Sequence, residues 1–250
     1  EMGIMIFELV KKFGKSKLQG IELRSLTGGN AANMVADHAR AVLRADSYDE
    51  IKELLAEYRK ETGYKMAVKG IGKSLEITAS GISSHGARPE KGLNAISVMM
   101  GFLCKIGIVN DDMADFIDFF NSHIGFDLHG ERIGCDFSDE ASGKLIFNVG
   151  MVRSDNEAGK LTVNIRYPVT IDDETVYNGM MSYLDKYDLG VVKLNHQPPI
   201  YIPSDDPLIT TLMEVYRRHT GDKESKAMII GGGTYARSME NAVAFGMTFP

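Results

Sequence analysis

Four segments of this chain combine residue types that can do chemistry. In Ser83-Ser84-His85-Gly86-Ala87-Arg88-Pro89 a histidine stands among small residues, which leave its imidazole reachable from outside. The same pattern also suits a turn histidine bonded only to its neighbours. In Gly28-Gly29-Asn30-Ala31-Ala32-Asn33-Met34-Val35-Ala36-Asp37 the amide of Asn33 offers both a donor and an acceptor to a polar ligand, or closes a local turn. In Asn164-Ile165-Arg166-Tyr167-Pro168 an arginine sits in an alternating strand, where its planar fork matches a carboxylate or joins a surface ion pair. In Gly231-Gly232-Gly233-Thr234-Tyr235-Ala236-Arg237 the backbone N–H groups at a glycine turn can meet an anion, or the glycines serve tight packing alone.

Other chemistries find no support. The six histidines, His38, His85, His123, His129, His196 and His219, show no helical or hairpin ligand spacing with another histidine, a cysteine or a carboxylate. His123 and His129 are close in sequence, but such a lone pair is commonly decoration, and His219 suits the negative end of a helix. The Gly231 turn lacks the Gly-Lys-Thr/Ser ending of a nucleotide phosphate loop. Cys104 and Cys135 form no framework, which fits a reducing cytoplasm. A net charge of −6 and the absence of a wide basic face argue against nucleic acid; Lys11, Lys12, Lys15 and Lys17 read as the decoration of a solvated hairpin. No apolar stretch is long enough to suggest a membrane span or an export signal.

The elements that must hold these residues follow from periodicity. With 44% hydrophobic residues over 250 positions, the chain can bury a core without disulfides. Alternation predicts strands at 4–10 and 18–26, joined as a hairpin at Gly14, and another at 39–43. Ser47 is expected to cap a helix with Ile51, Leu54, Leu55 and Tyr58 on one face, ended by Gly63. Strands at 64–71 and 74–82, turning at Gly72-Lys73, precede helices at 93–106 and from Asp111-Asp112, the latter with Met113, Phe116, Ile117 and Phe120 inward. Strands at 145–152 and 161–169, a helix at 173–187 and a strand at 191–195 repeat the layout without sequence repetition. Pro198-Pro199 and Pro203 mark a crossing, followed by a helix at 207–220, a short apolar strand at 227–230 and a helix opened by the glycine turn. The expected class is α+β, with helices on one face of antiparallel sheets.

In this order and at these separations, Ala32-Asn33-Met34-Val35, Ser84-His85-Gly86 leading to Asn94, Arg166-Tyr167-Pro168 and the Gly231-to-Arg237 loop resemble the PepV-type bacterial dipeptidases. These lie within the zinc-dependent family of aminoacylases, deacylases and carboxypeptidases. The resemblance covers nearly the whole chain and implies a lid of two related ferredoxin-like halves, about 1–110 and 140–198 with a helical connection, within 1–198. Residues 199–250 would be a returning, truncated segment of an α/β zinc-peptidase domain.

The resemblance implies two zinc ions in the full-length enzyme, held by a catalytic domain outside this chain, so that this chain binds none and hydrolyses nothing alone. The substrate would be a dipeptide. His85 would donate a hydrogen bond to the carbonyl oxygen as negative charge develops. Asn33, Arg166 and the Gly231, Gly232, Gly233, Thr234, Tyr235 and Arg237 loop would hold the C-terminal carboxylate. Paired halves in one chain would replace dimerisation and allow a monomeric parent. Ala36 departs from the proline common after the Asn-Met-Val run. A deacylase or desuccinylase of the same family, and a non-catalytic module binding a small carboxylate, remain open alternatives.

Overall fold

The computed structural model describes residues 1–14, 20–108 and 111–246. The strands are β1 (Gly3–Lys12), β2 (Glu22–Gly28), β3 (His38–Arg44), β4 (Lys65–Ile71), β5 (Ser74–Ser80), the two-residue β6 (Ser138–Asp139) and β7 (Gly143–Lys144), then β8 (Ile146–Ser154), β9 (Ala158–Tyr167) and β10 (Gly190–Gln197). The helices are α1 (Asp49–Thr62), α2 (Ala95–Ile106), α3 (Asp111–His123), α4 (Asp173–Lys186) and α5 (Pro207–Thr220). The chain is therefore α+β, as its periodicity predicts.

Eight strands form one antiparallel sheet in the order β10-β1-β9-β8-β2-β3-β5-β4, while β6 and β7 pair separately. Reading outward from the β8–β2 seam, each half repeats one plan. The order β2-β3-β5-β4 on one side matches β8-β9-β1-β10 on the other. In each half two consecutive strands are followed by a helix, α1 or α4, and by the outer strand. The second half is completed by β1 from the chain start, inserted between β9 and β10. The hairpin expected from residues 4–26 therefore does not form. Alternation reports that a strand exists and which face it buries, but not its partner. The turn expected beyond Gly14 lies outside the described residues, as do Lys15 and Lys17.

Alternation does set the faces. Met5, Phe7 and Leu9 of β1 and Val163, Ile165 and Tyr167 of β9 point into the helix-covered core together with Ala39, Ala41 and Leu43 of β3. α2 is buried nearly all round, because it packs on β3 and β5 and also on α1 and α3. Asn94 starts it by accepting the Ile96 N–H at 2.9 Å, and its own amide donates to Val149 O at 2.8 Å, fastening the helix start to β8. Asp172 caps α4 on Thr175 N at 2.6 Å. α1 begins after Tyr48 with no side-chain cap, so Ser47 does not serve there; Gly63 ends it at φ 73° with its N–H on Arg59 O, as expected.

Two further expectations fail. Lys11 is 4% exposed and donates to Tyr187 O at 2.6 Å, so it anchors α4's end to β1 rather than decorating a solvated turn. Residues 227–230 form no strand: Met228 is 66% exposed, and the segment is tied to the sheet by Met2 N donating to Ile230 O at 3.0 Å. The glycine turn after it leads only to a short 3-10 turn, Tyr235–Ser238.

Candidate active site

The Asn33 loop and the His85 turn are zipped to each other. Val35 N donates to Ser84 O at 2.9 Å, Gly86 N donates to Asn33 O at 2.7 Å, and Met34 and His85 form an antiparallel bridge. Glycines permit this close approach. A Cβ on Gly86 would stand 2.9 Å from Asn33 O, and one on Gly150 would stand 2.4 Å from Ala32 O. Gly29 takes a left-handed φ of 66°, and a side chain there would strike Gly150 O. The double glycine before the loop thus lets it lie on β8, and Asn33 and His85 are both exposed residues.

Arg166 reaches the same place from β9. The surface ion pair considered for it does not occur, because the residue is only 3% exposed. Its Nη1 donates to Gly231 O, and its Nε has no partner among the described residues. Gly231 links the pieces: a Cβ there would lie 3.2 Å from Ala87 Cβ and 3.5 Å from Arg166 Cδ. The His85 turn, the Asn33 loop, Arg166 and Gly231 therefore border one region on the face of the sheet away from the helical core.

Electrostatics agree with that proximity. The pKa of His85 is lowered, first by burial, then by the charges of Arg166 and Arg88. Its Nδ1 is the acceptor for Ala87 N at 3.2 Å, so the neutral ring carries its proton on Nε2, where it is a donor. Arg166 is also lowered, by burial and by the nearby Arg237 charge.

The remainder of the glycine loop is engaged elsewhere. Thr234 binds the Glu1 carboxylate through its N–H at 2.9 Å and through its hydroxyl. Arg237 pairs with Glu1 at 2.6 Å and donates to Met2 O and Pro198 O. Tyr235 is 91% exposed. Gly232 has open space around it, and Gly233 packs against the Arg237 side chain. The structure thus joins Gly231 to Arg166 and, through Ala87, to the turn that carries His85, while Thr234 and Arg237 fasten the loop to Glu1.

Two residues escaped sequence reading. Asn148 on β8 is 2% exposed, and its Nδ2 donates to Ala32 O at 3.0 Å and Met34 O at 3.1 Å. Asn164, its cross-strand partner and two residues before Arg166, is 1% exposed, and neither side-chain polar atom finds a partner among the described residues. Asparagine is depleted in strands, so two of them inside Val- and Ile-rich runs were the available signal.

Among the described residues, no group of three or more His, Cys, Asp or Glu could hold a metal ion. His123 and His129 instead face the carbonyls of Arg132 and Leu145, at 3.2 and 2.8 Å. The described side chains therefore do not fit a metal pair. No helix of the described residues is long and apolar enough to cross a membrane.

Residues 66–186 match the M20 peptidase dimerisation domain. Two Staphylococcus aureus proteins, from strains bovine RF122 / ET3-1 and MRSA252, are named as dipeptidases without established activity; each is 32% identical over 256 residues, covering 100% of this chain and 54% of its own length. The resemblance to the PepV-type dipeptidase lid read from the sequence is thus borne out. The chain spans about half the length of the curated relatives it matches. A solved aminoacylhistidine dipeptidase from Vibrio alginolyticus aligns at a TM-score of 0.45 and 15% identity, over 93% of this chain and 51% of its own.

Proposed function

We propose that this chain is the substrate-gripping part of a cytoplasmic dipeptidase, consisting of a lid over residues 1–198 and a segment, 199–250, returning toward a catalytic domain. The juxtaposition of His85, Asn33 and Arg166 carries the reading. A dipeptide presents its scissile carbonyl to the Nε2–H of His85 and its free carboxylate to the Asn33 amide and, where it takes the place of Gly231 O on Nη1, to the Arg166 fork. Fixing the carboxylate end limits the length of peptide that fits. The zinc ions of this enzyme class would be held by residues outside this chain and would supply the hydrolytic chemistry; this chain alone hydrolyses nothing. Because one chain contributes both halves of the sheet, the parent needs no second copy to complete the grip.

The test is a substrate panel on the full-length enzyme. Dipeptides should be cleaved, and their C-terminal amides should be cleaved far more slowly. Arg166→Lys should raise KM about tenfold to a hundredfold for the free acid and little for the amide, since lysine keeps the charge but loses the two-pronged contact. Preference for N-acylated amino acids over dipeptides would convert the reading to a deacylase. Binding of small carboxylates without turnover would convert it to a non-catalytic module.

A further inference from the structure

The Asn33 side chain can grip a substrate only if its own backbone is held still, and three consecutive carbonyls show how that is done. Ala32 O and Met34 O accept from the two hydrogens of a single amide nitrogen, Asn148 Nδ2, at 3.0 and 3.1 Å, while Asn33 O accepts from Gly86 N at 2.7 Å. The peptide planes on both sides of Asn33 are thereby pinned. Asn148 is the third residue of β8, where it is the cross-strand neighbour of Asn164, while Ile146 on the same strand is the neighbour of Arg166. It is 2% exposed, and a Cβ on Gly86 would stand 3.2 Å from its Nδ2, so it also abuts the His85 turn.

We propose that Asn148 is a positioning residue for substrate binding. It fixes the Asn33 loop, and through it the His85 turn, in register with Arg166 on the next strand. The inference rests on the proposed role of Asn33 and goes beyond it, because Asn148 acts through Asn33. Only a side chain with two hydrogens on one nitrogen can hold both carbonyls at once. An aspartate of the same shape offers only acceptors to those carbonyls and repels them.

The test is a double-mutant cycle in the full-length enzyme, with kcat and KM measured separately on a dipeptide. In the parent background, Asn148→Ala and Asn148→Asp should each lower kcat/KM by on the order of tenfold to a hundredfold, with the aspartate worse than the alanine. In an Asn33→Ala background the same substitutions should change kcat/KM by less than threefold, because the side chain they position is already gone. A residue that merely supports the fold would give equal losses in both backgrounds, and that result overturns the proposal. Should Asn148→Ala fail to fold, Asn148→Ser, which keeps a single short donor in the same space, is read in its place with the same pair of backgrounds. Amide hydrogen exchange at Val35 and Gly86 adds a second readout, with faster exchange expected in both variants and parent-like exchange counting against the proposal. If Asn33→Ala alone leaves kcat/KM unchanged, the failure lies with the role given to Asn33; if Asn33→Ala costs activity and Asn148 losses still add in full, it lies with Asn148.

Discussion

Replacing His85 by alanine in the full-length enzyme should remove one hydrogen bond that exists fully only in the transition state. Nδ1 is held by the Ala87 N–H at 3.2 Å, so a single donor, Nε2–H, remains for the reacting oxygen. A preorganised donor of this kind contributes about 10²–10³ in kcat, or about 2.7–4 kcal/mol. His85 is an exposed turn residue, so its loss should change folding stability by no more than about 0.5 kcal/mol. Steady-state kinetics should therefore show kcat and kcat/KM falling together by at least about a hundredfold, with KM, metal content and urea midpoint unchanged. A loss smaller than about fivefold, or one that resides in KM, would refute the oxyanion assignment.

Three other outcomes follow from local geometry. Gly29→Ala should lower stability in urea denaturation by at least about 2 kcal/mol, because the left-handed φ of 66° and the contact with Gly150 O both oppose a side chain. Burial would raise the pKa of Asp139, but hydrogen bonds from Ser142 and Thr170 outweigh it and leave the carboxyl depressed. The stabilisation this provides is present above the unfolded carboxyl pKa of about 3.9 and is lost as pH falls through the folded value. Asp139→Asn should accordingly be less stable than the parent at neutral pH, with the gap narrowing as acid protonates the parent's carboxyl. Burial pushes the thiol of Cys135 up to about 12, whereas Cys104 is exposed. An aromatic disulfide reagent should modify Cys104 in the folded protein and reach Cys135 only after denaturant is added.

Much of the fold was legible because it is written in local periodicity. The alternation of Met5, Phe7 and Leu9, the apolar face and Gly63 stop of α1, and the acidic start and apolar stripe of α3 each report on a single element. What stayed hidden depends on contacts far along the chain. The alternation in β1 does not say that its neighbours are β9 and β10. Arg166 reads as a surface residue because nothing nearby in sequence reveals that Gly231 covers it. The run Ala227 to Ile230 has the composition of a strand but finds no ladder. The chemistry-bearing residues of the site stood out by type, whereas nothing near Asn148 in sequence shows that its amide meets Ala32 O and Met34 O.

The insertion of β1 between β9 and β10 sets an order of events during synthesis. β2 to β5 with α1 and α2 can assemble as soon as they leave the ribosome, but β1 meets its second partner only when residues 190–197 have emerged. At translation rates of about 5–20 residues per second, that wait lasts on the order of 10–40 s. Until β9 emerges, a ribbon with one apolar face and both edges open is presented to the cell, and one edge stays open until β10 follows.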